Sequence, residues 1–279
     1  MTVHALSFDV ENWYDGNLFE PGQMPSDDRV VAEMDCVLEL LARHDVKVTF
    51  FILGNLAERY PGMVRAVAEA GHEIGCHGYT HEMVSTLTPQ RLTSDLTRAR
   101  KLLQDLSGQP VSGFRAPSWS VNRAALAWVI PVLAEVGFGY SSSIHPIWTP
   151  LYGMASAPVD PWYHRLPDGR RLPEIPPAVI RLGPVRLPVG GGAYWRVLPT
   201  PLIEAVLRYR PRPGCFYLHP WELNPSPAPV PAGVGWISRT AATLGVRRML
   251  DRLERLLTRV SFGPISHVYH AFLQGEESA

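Results

Sequence analysis

Short β-prone segments alternate with longer segments of helical periodicity over the first 145 residues, and this alternation constrains the fold more than any other feature. Parallel strands need long crossovers, usually helices, whereas antiparallel strands need only short turns. The pattern therefore predicts parallel βαβ units, and hence an α/β sheet or barrel. The predicted strands lie at 3–10, 46–53, within 71–81, 111–117 and 138–144, and the predicted helices at 27–44, 61–70, 89–107 and 123–136.

Beyond residue 145 the alternation of strands and helices continues only in part. Residues 146–200 are rich in Pro, Gly and Trp, so we predict an elaborated loop region there. A helix at 201–209 and a strand at 214–220 resume the alternation. A Pro-rich spacer and a C-terminal helix at about 240–259 follow, and we expect residues 224–279 to pack on the barrel. The 279 residues are predicted to form a single domain, 1–279.

Composition excludes several classes of partner. The formal charge is zero and no long basic run occurs, which argues against nucleic acid or an anionic membrane as the main partner. No stretch of roughly 18 apolar residues is present, so no transmembrane helix is expected. The first residues lack a basic and then apolar leader, and Cys36, Cys76 and Cys215 form no disulfide framework. We therefore expect a cytoplasmic protein, while its oligomeric state stays open.

Several residues with reactive side chains fall at the ends of predicted strands. In parallel α/β folds the working residues gather where strands end and loops begin. We therefore expect one site to collect them. These residues are Asp9, Glu11, His77, His81, Arg115 and His219.

His77 and His81 stand four residues apart in "HGYTH", a spacing that lets both imidazoles reach one metal ion. A carboxylate would complete a set that leaves positions on the ion open, and such an ion makes water more acidic. Two histidines can equally be satisfied by the protein or lie on its surface. The pair by itself leaves both interpretations open.

The acids of "SFDVENWYDG" raise a similar choice. Residues two apart on a strand point the same way, so Asp9 and Glu11 can face one site while Val10 packs behind. A surface-facing pair is the alternative. Arg115 can pair with a carboxylate and hold it ionised, or form a purely structural ion pair. His219 follows an apolar strand, where it can be an acid catalyst or a core histidine.

The order of these motifs resembles the polysaccharide deacetylases, the NodB-homology group of carbohydrate esterases, and especially the subgroup found beside bacterial exopolysaccharide and exosortase loci. The resemblance implies a distorted (β/α) barrel with fewer than eight units and a metal-dependent hydrolysis of N-acetyl groups. The matching stretches are "SFDVENW", "VKVTFFILGNLAERYPGMVRAVAEAGHEIGCHGYTHEMV", "GFRAPSWS", "EIPPAVIRLGPVRLPVGGGAYWRVLP", "YLHPWE" and "GPISHV".

The resemblance also implies roles for individual residues. His77 and His81 would hold a divalent metal, zinc first, with cobalt or nickel as options. Asp9 would be the general base that deprotonates the attacking water, and Arg115 would orient it. His219 would be the general acid that protonates the departing amine.

Two positions depart from the family's pattern. Many members have a metal-binding acid where Val10 stands, and Glu11 would then be the ligand, as in some relatives. Relatives often have Asp where Ser141 stands, an acid that tunes the catalytic histidine. Without it we expect a less elevated pKa for His219.

Two other acids, Glu174 and Glu222, are candidates to replace the acid that Ser141 lacks. Aromatic residues near the presumed site suit the apolar faces of sugar rings. The segment "VGGGAYWR" is either a mobile loop or a tight turn, and the resemblance places it at the rim with Arg196 free to meet an anionic group. The predicted substrate-binding residues are Trp13, Trp119, Tyr194, Trp195, Arg196 and Trp221.

Three functions are carried forward. The first is metal-dependent N-deacetylation of amino sugars in a polysaccharide or its precursor. The second is hydrolysis of a small-molecule or lipid-linked amide on the same scaffold. The third is a non-catalytic carbohydrate-binding protein with a decayed site, prompted by Val10 and Ser141.

Overall fold

The computed structural model describes residues 2–16, 29–150, 152–226 and 228–276. Nine strands of this part of the chain form one sheet, in the order β10-β1-β2-β3-β4-β5-β7-β6 with β11 beside β1, and two more form a separate hairpin. The strands are β1 (Val3–Val10), β2 (Thr49–Ile52), β3 (Glu73–Cys76), β4 (Gly113–Phe114), β5 (Tyr140–Ser141), β6 (Trp162–Arg165), β7 (Arg171–Glu174), β8 (Val179–Leu182), β9 (Val185–Pro188), β10 (Cys215–Leu218) and β11 (Ser261–Gly263).

The sheet curls into an incomplete barrel. From β10 through β1 to β7 all neighbours pair in parallel, and only β6 runs antiparallel. The segment after β7 returns to β10, where Pro177 bridges to Cys215 and Gly191 to Tyr217. The predicted distorted (β/α) barrel with fewer than eight units is confirmed.

Helices connect the strands of the first half, and their ends follow local rules. α4, for example, begins where the Thr88 hydroxyl accepts a hydrogen bond from the Arg91 N–H, and it ends at Gly108 with φ of +66°. The α-helices are α1 (Val30–Arg43), α2 (Gly54–Arg59), α3 (Pro61–Glu69), α4 (Pro89–Ser107), α5 (Arg123–Val136), α6 (Ala193–Val197), α7 (Thr200–Tyr209), α8 (Trp236–Thr243), α9 (Met249–Leu257), α10 (Ile265–Val268) and α11 (His270–Leu273). Short 3₁₀ helices lie at Val84–Thr86, Pro117–Trp119, Pro220–Leu223 and Val246–Arg248.

Strand β1 shows how the fold positions the site. Its residues alternate between two apolar layers: Leu6, Phe8 and Val10 join the large cluster between sheet and helices, whereas Ala5 joins a smaller cluster inside the barrel. Because alternate side chains share a face, the inward series continues from Ala5 through Ser7 and Asp9 to Glu11 just past the strand end. The inner face thus changes from apolar to charged toward the carboxyl ends of the strands.

The lower end of the barrel is closed by the C-terminal part of the chain. Ile265 of α10, Tyr269 just before α11 and Phe272 of α11 pack with Phe51 in the inner cluster, and β11 pairs with β1. Residues 261–273 therefore plug the barrel opposite the site. The single domain 1–279 and the packing of residues 224–279 as a whole on the barrel stay predictions.

Several predicted elements need correction. The region 146–200 is not a loop alone, since it contains β6 to β9 and α6. β6 pairs with β7, and β8 with β9, as antiparallel neighbours joined by short turns, which a reading based on the Pro, Gly and Trp content misses. The predicted helix at 240–259 is two helices, α8 and α9, because Gly245 adopts a φ of +77° between them.

Smaller differences concern short elements and the start of the first helix. The short helix α2 and the short strand β11 were not predicted, while the helix at 27–44 appears as α1 and its first two residues lie outside the described part. Within the described ranges, no helix combines the length and apolar character needed to cross a membrane.

Candidate active site

A cavity of about 160 Å³ opens at the carboxyl ends of the parallel strands. Nine of the twelve predicted site residues line it, while Arg115, Tyr194 and Trp195 do not. The nine are Asp9, Glu11, Trp13, His77, His81, Trp119, Arg196, His219 and Trp221.

Glu11, His77 and His81 form a cluster whose ligand atoms all lie within 4.8 Å of one another. Glu11 Oε2 lies 2.6 Å from His81 Nε2 and 3.5 Å from His77 Nε2. His77 Nδ1 lies 2.9 Å from the Arg115 carbonyl oxygen, to which it can donate its proton, leaving Nε2 as a lone-pair donor. Two imidazoles and one carboxylate are a donor set that suits zinc, and the residues present fit a divalent ion.

The charges of this cluster support one another. Burial alone would raise the pKa of the Glu11 carboxyl, but the nearby imidazoles of His81, His219 and His77 outweigh it and hold that pKa well below its usual range. Burial would lower the pKa of His81, yet the Glu11 carboxylate raises it. Glu11 is therefore ionised when buried beside the two histidines, which is the state a metal ligand needs.

Asp9 is held by Arg115 beneath this cluster. Arg115 Nη1 donates to Asp9 Oδ1 at 2.6 Å and to the Ser7 hydroxyl at 2.7 Å, while Nη2 donates to the Ser142 hydroxyl at 2.9 Å. The guanidinium is fully buried and lies 4.2 Å from the centre of the Phe51 ring. Such a bonded, enclosed cation keeps one Asp9 oxygen fixed while Asp9 still lines the cavity.

The loop after β4 carries backbone strain beside the site. Ser118 and Trp119 both have a φ of +50°, which non-glycine residues rarely adopt. Trp119 lies 4.7 Å from the Arg115 guanidinium, measured to its ring centre, and lines the cavity. Such strain persists where the surrounding structure holds it, and here it directs an aromatic wall into the site.

His219 is held by Glu222, three residues later. Glu222 Oε2 accepts from the His219 backbone N–H at 3.0 Å and lies 2.9 Å from His219 Nδ1. The other Glu222 oxygen lies 2.7 Å from Arg196 Nε in an ion pair. Burial lowers the pKa of His219, but Glu11, Glu222 and Asp9 outweigh it and raise the pKa to about 9. Whether this pKa is less elevated than in relatives with Asp at the Ser141 position stays a prediction.

Ser141 and Glu174 form their hydrogen bonds with residues other than His219. The Ser141 hydroxyl donates to Ser143, and Glu174 accepts from the backbone N–H groups of Ser143 and Ile144. Both therefore hold the chain after β5. Of the two acids considered as replacements, Glu222 is the one that contacts His219.

One predicted substrate contact is wrong. Trp195 is fully buried, packs against Phe216 and donates its indole N–H to the Val189 carbonyl, so it belongs to the core. Arg196 lines the cavity as predicted, but its guanidinium is paired with Glu222 and is not free. Which residues of such a short helix face the core cannot be read from the local sequence alone.

Other aromatic residues lie in or just behind the wall of the cavity. Trp221 stacks on His219 with ring centres 5.3 Å apart, and Tyr194 lies behind the wall, 3.4 Å from Tyr152 between hydroxyl oxygens. Tyr152 and Tyr217 line the cavity and were not predicted. Tyr217 stands two residues before His219 on one strand, so strand alternation could have revealed it, whereas no local signal marks Tyr152.

The segment 190–192 closes the barrel instead of forming a mobile loop. The Gly192 N–H donates to the Tyr217 carbonyl at 2.8 Å, and the Tyr217 N–H donates to the Gly190 carbonyl at 2.7 Å. A side chain at Gly191 would place its Cβ 1.9 Å from the Tyr217 carbonyl oxygen. Glycine is therefore required for this close approach of two backbones.

Comparison with solved structures supports the fold. A candidate polysaccharide deacetylase from Mycobacterium smegmatis superposes with a TM-score of 0.64 at 20% identity, covering 99% of this chain and 92% of that one. A CE4 family pseudoenzyme from Bacillus anthracis superposes with a TM-score of 0.53 at 16% identity, covering 96% of this chain and 65% of that one. At such identities the likeness concerns the fold alone, and activity has to be argued from the site.

Sequence comparison finds partial similarity to curated peptidoglycan deacetylases. Peptidoglycan deacetylase from Helicobacter pylori is 30% identical over 117 residues, 42% of this chain and 39% of that protein. Peptidoglycan-N-acetylglucosamine deacetylase from Bacillus cereus is 32% identical over 92 residues, 33% of this chain and 34% of that protein. The matches thus span between a third and two fifths of these relatives.

Two family profiles divide the chain. Residues 142–270 match a domain of unknown function (DUF3473), and residues 25–137 match the profile described as polysaccharide deacetylase. The chain is therefore similar to polysaccharide deacetylases over residues 25–137.

Proposed function

We propose that this chain is a metal-dependent hydrolase that removes N-acetyl groups from amino sugars of a polysaccharide or its precursor. The observation that carries the proposal is the convergence on one cavity of the cluster Glu11–His77–His81, the held carboxylate Asp9 and the held imidazole His219. The names of the curated relatives, which are peptidoglycan deacetylases, support the same reaction class.

Glu11, His77 and His81 would hold the ion, with zinc as the first choice and cobalt or nickel as options. When bound, such an ion supplies Lewis acidity, which polarises an amide carbonyl and makes water more acidic. The hydrogen bond between His77 Nδ1 and the Arg115 carbonyl orients one ligand, as outer partners do in metal sites.

Asp9 acts as the general base. Its carboxylate lines the cavity beside the ligand cluster, and Arg115 fixes one of its oxygens at 2.6 Å. Asp9 takes a proton from the water that attacks the amide carbon, and the tetrahedral intermediate forms. Arg115 acts through Asp9 as a positioning residue, because it does not line the cavity itself.

His219 acts as the general acid. Its Nδ1 is bonded to Glu222, so Nε2 faces the site, 3.6 Å from Glu11 Oε1. A protonated Nε2 at this position can therefore donate its proton to the amine as the carbon–nitrogen bond breaks. Acetate and the free amino sugar are the products.

The interpretation as a decayed site has less support. Val10 is fully buried in the core cluster behind the sheet, and Glu11 occupies the place beside the two histidines. Glu222 provides the acid that Ser141 lacks. Neither departure from the family's pattern therefore removes a chemical group from the cavity.

The test is acetate release from N-acetylated oligosaccharides by the purified protein, before and after chelation and with Zn²⁺, Co²⁺ or Ni²⁺ added back. We expect chelation and His77→Ala to abolish release, and added metal to restore it only in the unsubstituted protein. His270→Ala, at an exposed histidine far from the cavity lining, is the matched control and should behave like the unsubstituted protein. Release that resists chelation and survives His77→Ala would refute the mechanism.

A further inference from the structure

We propose that the substrate's amino sugar carries an aliphatic chain, and that this chain lies in an apolar trench beside the cavity. The inference rests on the proposed function and deepens it, since it names a glycolipid-like class of substrate. The trench lies between α6 and α8, has a volume of about 370 Å³, and is lined mainly by Val197, Trp236, Ile237 and Leu244.

The trench lies directly beside the site. Ala193, Arg196 and Ala241 line both the trench and the cavity, so a substrate bound in the cavity can place an attached chain over these residues into the trench. The cavity holds only about 160 Å³, which leaves the part of a substrate beyond its reacting sugar to lie outside it. One such path is the trench.

The walls of the trench are apolar and exposed. Trp236 is 76% exposed, Ile237 61%, Val197 58% and Leu244 52%. Scattered exposed apolar residues are ordinary, but a contiguous set beside a polar site marks a surface that binds an apolar group.

The polar groups near the trench favour an alkyl chain over a second sugar. Arg196 is occupied, with Nε beside Glu222 and Nη1 donating to the Leu244 carbonyl at 3.2 Å. Thr240 supplies the only side-chain hydroxyl among the lining residues. Sugar hydroxyls placed here would lose hydrogen bonds to water without gaining hydrogen-bond partners on the protein. An aliphatic chain has no such hydrogen bonds to lose.

A protein partner fits less well for a geometric reason. The shared wall residues mean that a partner seated on the trench would also cover the opening of the cavity. The chain of a substrate, in contrast, leaves together with the product. The trench is also anchored to the acid side of the site, since Gly245 packs so closely on Arg196 that a Cβ there would lie 2.4 Å from the Arg196 carbonyl oxygen.

The experiment compares the methyl, hexyl and octyl β-glycosides of N-acetylglucosamine, below their micelle concentrations, with the zinc-loaded protein. A methylene that fully leaves water contributes roughly fourfold to binding. Because the trench is open on one side, we expect kcat/KM to rise by only about tenfold or more from methyl to octyl. The double variant Ile237→Ser/Leu244→Ser should lose most of that gain and keep its activity on the methyl glycoside.

The matched control is Leu182→Ser/Val185→Ser, which removes two exposed apolar side chains from the β8–β9 hairpin and should keep the gain. Equal kcat/KM for all three glycosides would overturn the inference, as would a gain that survives in the trench variant. A gain with N-acetylglucosamine oligomers, sensitive to Trp236→Ala but not to the double variant, would assign the trench to sugar units instead and overturn it too.

Binding separates this inference from the proposed function. Calorimetric titration of the same glycosides requires no turnover. Tighter binding of the octyl glycoside that the trench variant loses supports the trench even if no acetate is released. Absence of acetate would then count against the proposed reaction alone, while equal binding of methyl and octyl glycosides refutes the trench.

Discussion

The site contains two buried arginine–carboxylate pairs, Arg115–Asp9 and Arg196–Glu222, and they are built differently. Arg115 lies inside the barrel, where strands in fixed register supply its partners from β1 and from the residues next to β5. Arg196 lies on the short helix α6, and its partners come from the 3₁₀ helix after β10 and from the end of α8.

The difference has a functional meaning. The base side depends on a continuous sheet, so its geometry is tied to the barrel itself. The acid side depends on contacts between connecting segments of the second half, which also form one wall of the trench. We therefore expect changes to the base side to affect catalysis and folding together, and changes to the acid side to affect mainly turnover and substrate preference.

The largest effect should come from the two acids of β1. Glu11→Ala should lose stoichiometric metal, because it removes the only carboxylate of the ligand cluster. Asp9→Asn should keep the metal and reduce kcat by roughly 10²–10⁴-fold, the usual contribution of a general base. Metal analysis and acetate release check both, and Glu58→Ala, an exposed acid elsewhere, is the control. Metal loss in Asp9→Asn with metal retained in Glu11→Ala would reverse the two roles.

The arginine pairs should differ in stability. Arg115→Leu leaves the Asp9 carboxylate buried without its cation and should lower the free energy of unfolding by about 3–5 kcal/mol. Arg196→Leu should cost less, about 1–3 kcal/mol, because Glu222 keeps its hydrogen bonds to His219. Urea unfolding followed by circular dichroism measures both, and the exposed Arg91→Leu should leave the midpoint unchanged. Equal losses for Arg115 and Arg196 would contradict the proposed difference between the two sides.

Glu222→Gln sharpens the comparison on the acid side. The substitution keeps the size of the side chain but removes the charge that orients His219. We expect kcat to fall by roughly 10–100-fold, less than for loss of the acid itself, with metal content unchanged. Ser141→Ala is the control, because Ser141 does not contact His219, and its kcat should equal that of the unsubstituted protein. A larger loss of kcat in Ser141→Ala than in Glu222→Gln would mean that the residues after β5, and not Glu222, tune His219.

The smallest effect concerns His145, which lies between the Arg115–Asp9 pair and His219. His145 is fully buried, contacts Trp119 on the base side and Tyr217 near the acid side, and neither ring nitrogen has a hydrogen-bond partner among the described residues. Burial, with a smaller contribution from Arg115, lowers the pKa of His145 to about 3. Its unfolded pKa is about 6.5, so the stability that its neutral form provides is present above that pH and is lost as the pH falls toward 3.

The lowered pKa of His145 predicts a measurable loss of stability at acidic pH. We expect the free energy of unfolding to fall by about 2 kcal/mol from this group between pH 7 and pH 5. His145→Phe should abolish that part of the loss, while His4 and His72 titrate alike in both proteins. Urea unfolding at the two pH values checks it. An unchanged pH dependence in His145→Phe would show that this ring does not stay neutral in the folded protein.

Much of the first half could be predicted because its information is local. Alternation of strand and helix, the cap at Thr88 and the i, i+2 spacing of Asp9 and Glu11 depend on neighbours within a few residues. The grouping of Glu11, His77 and His81 could be predicted nearly as well, since His77 and His81 lie in one short loop and parallel strands bring their ends to the same edge. These features follow from backbone geometry that the sequence pattern expresses directly.

The second half could not be predicted as well, for the opposite reason. Whether Trp195 faces the substrate or the core, and whether Arg196 is free or paired, depends on where α6 packs against segments far along the chain. The choice of Glu222 over Glu174 has the same character, because both are acids near the site and only the packing decides which one reaches His219.

The sequence by itself determined the class of fold and the inward series of β1, because both depend on spacing along the chain. Only the tertiary structure decided which acid holds His219, that Arg196 is neutralised, and that an apolar trench adjoins the site. Those outcomes depend on contacts between segments distant in the chain, where the free energy of burial and pairing, rather than local geometry, selects the partner.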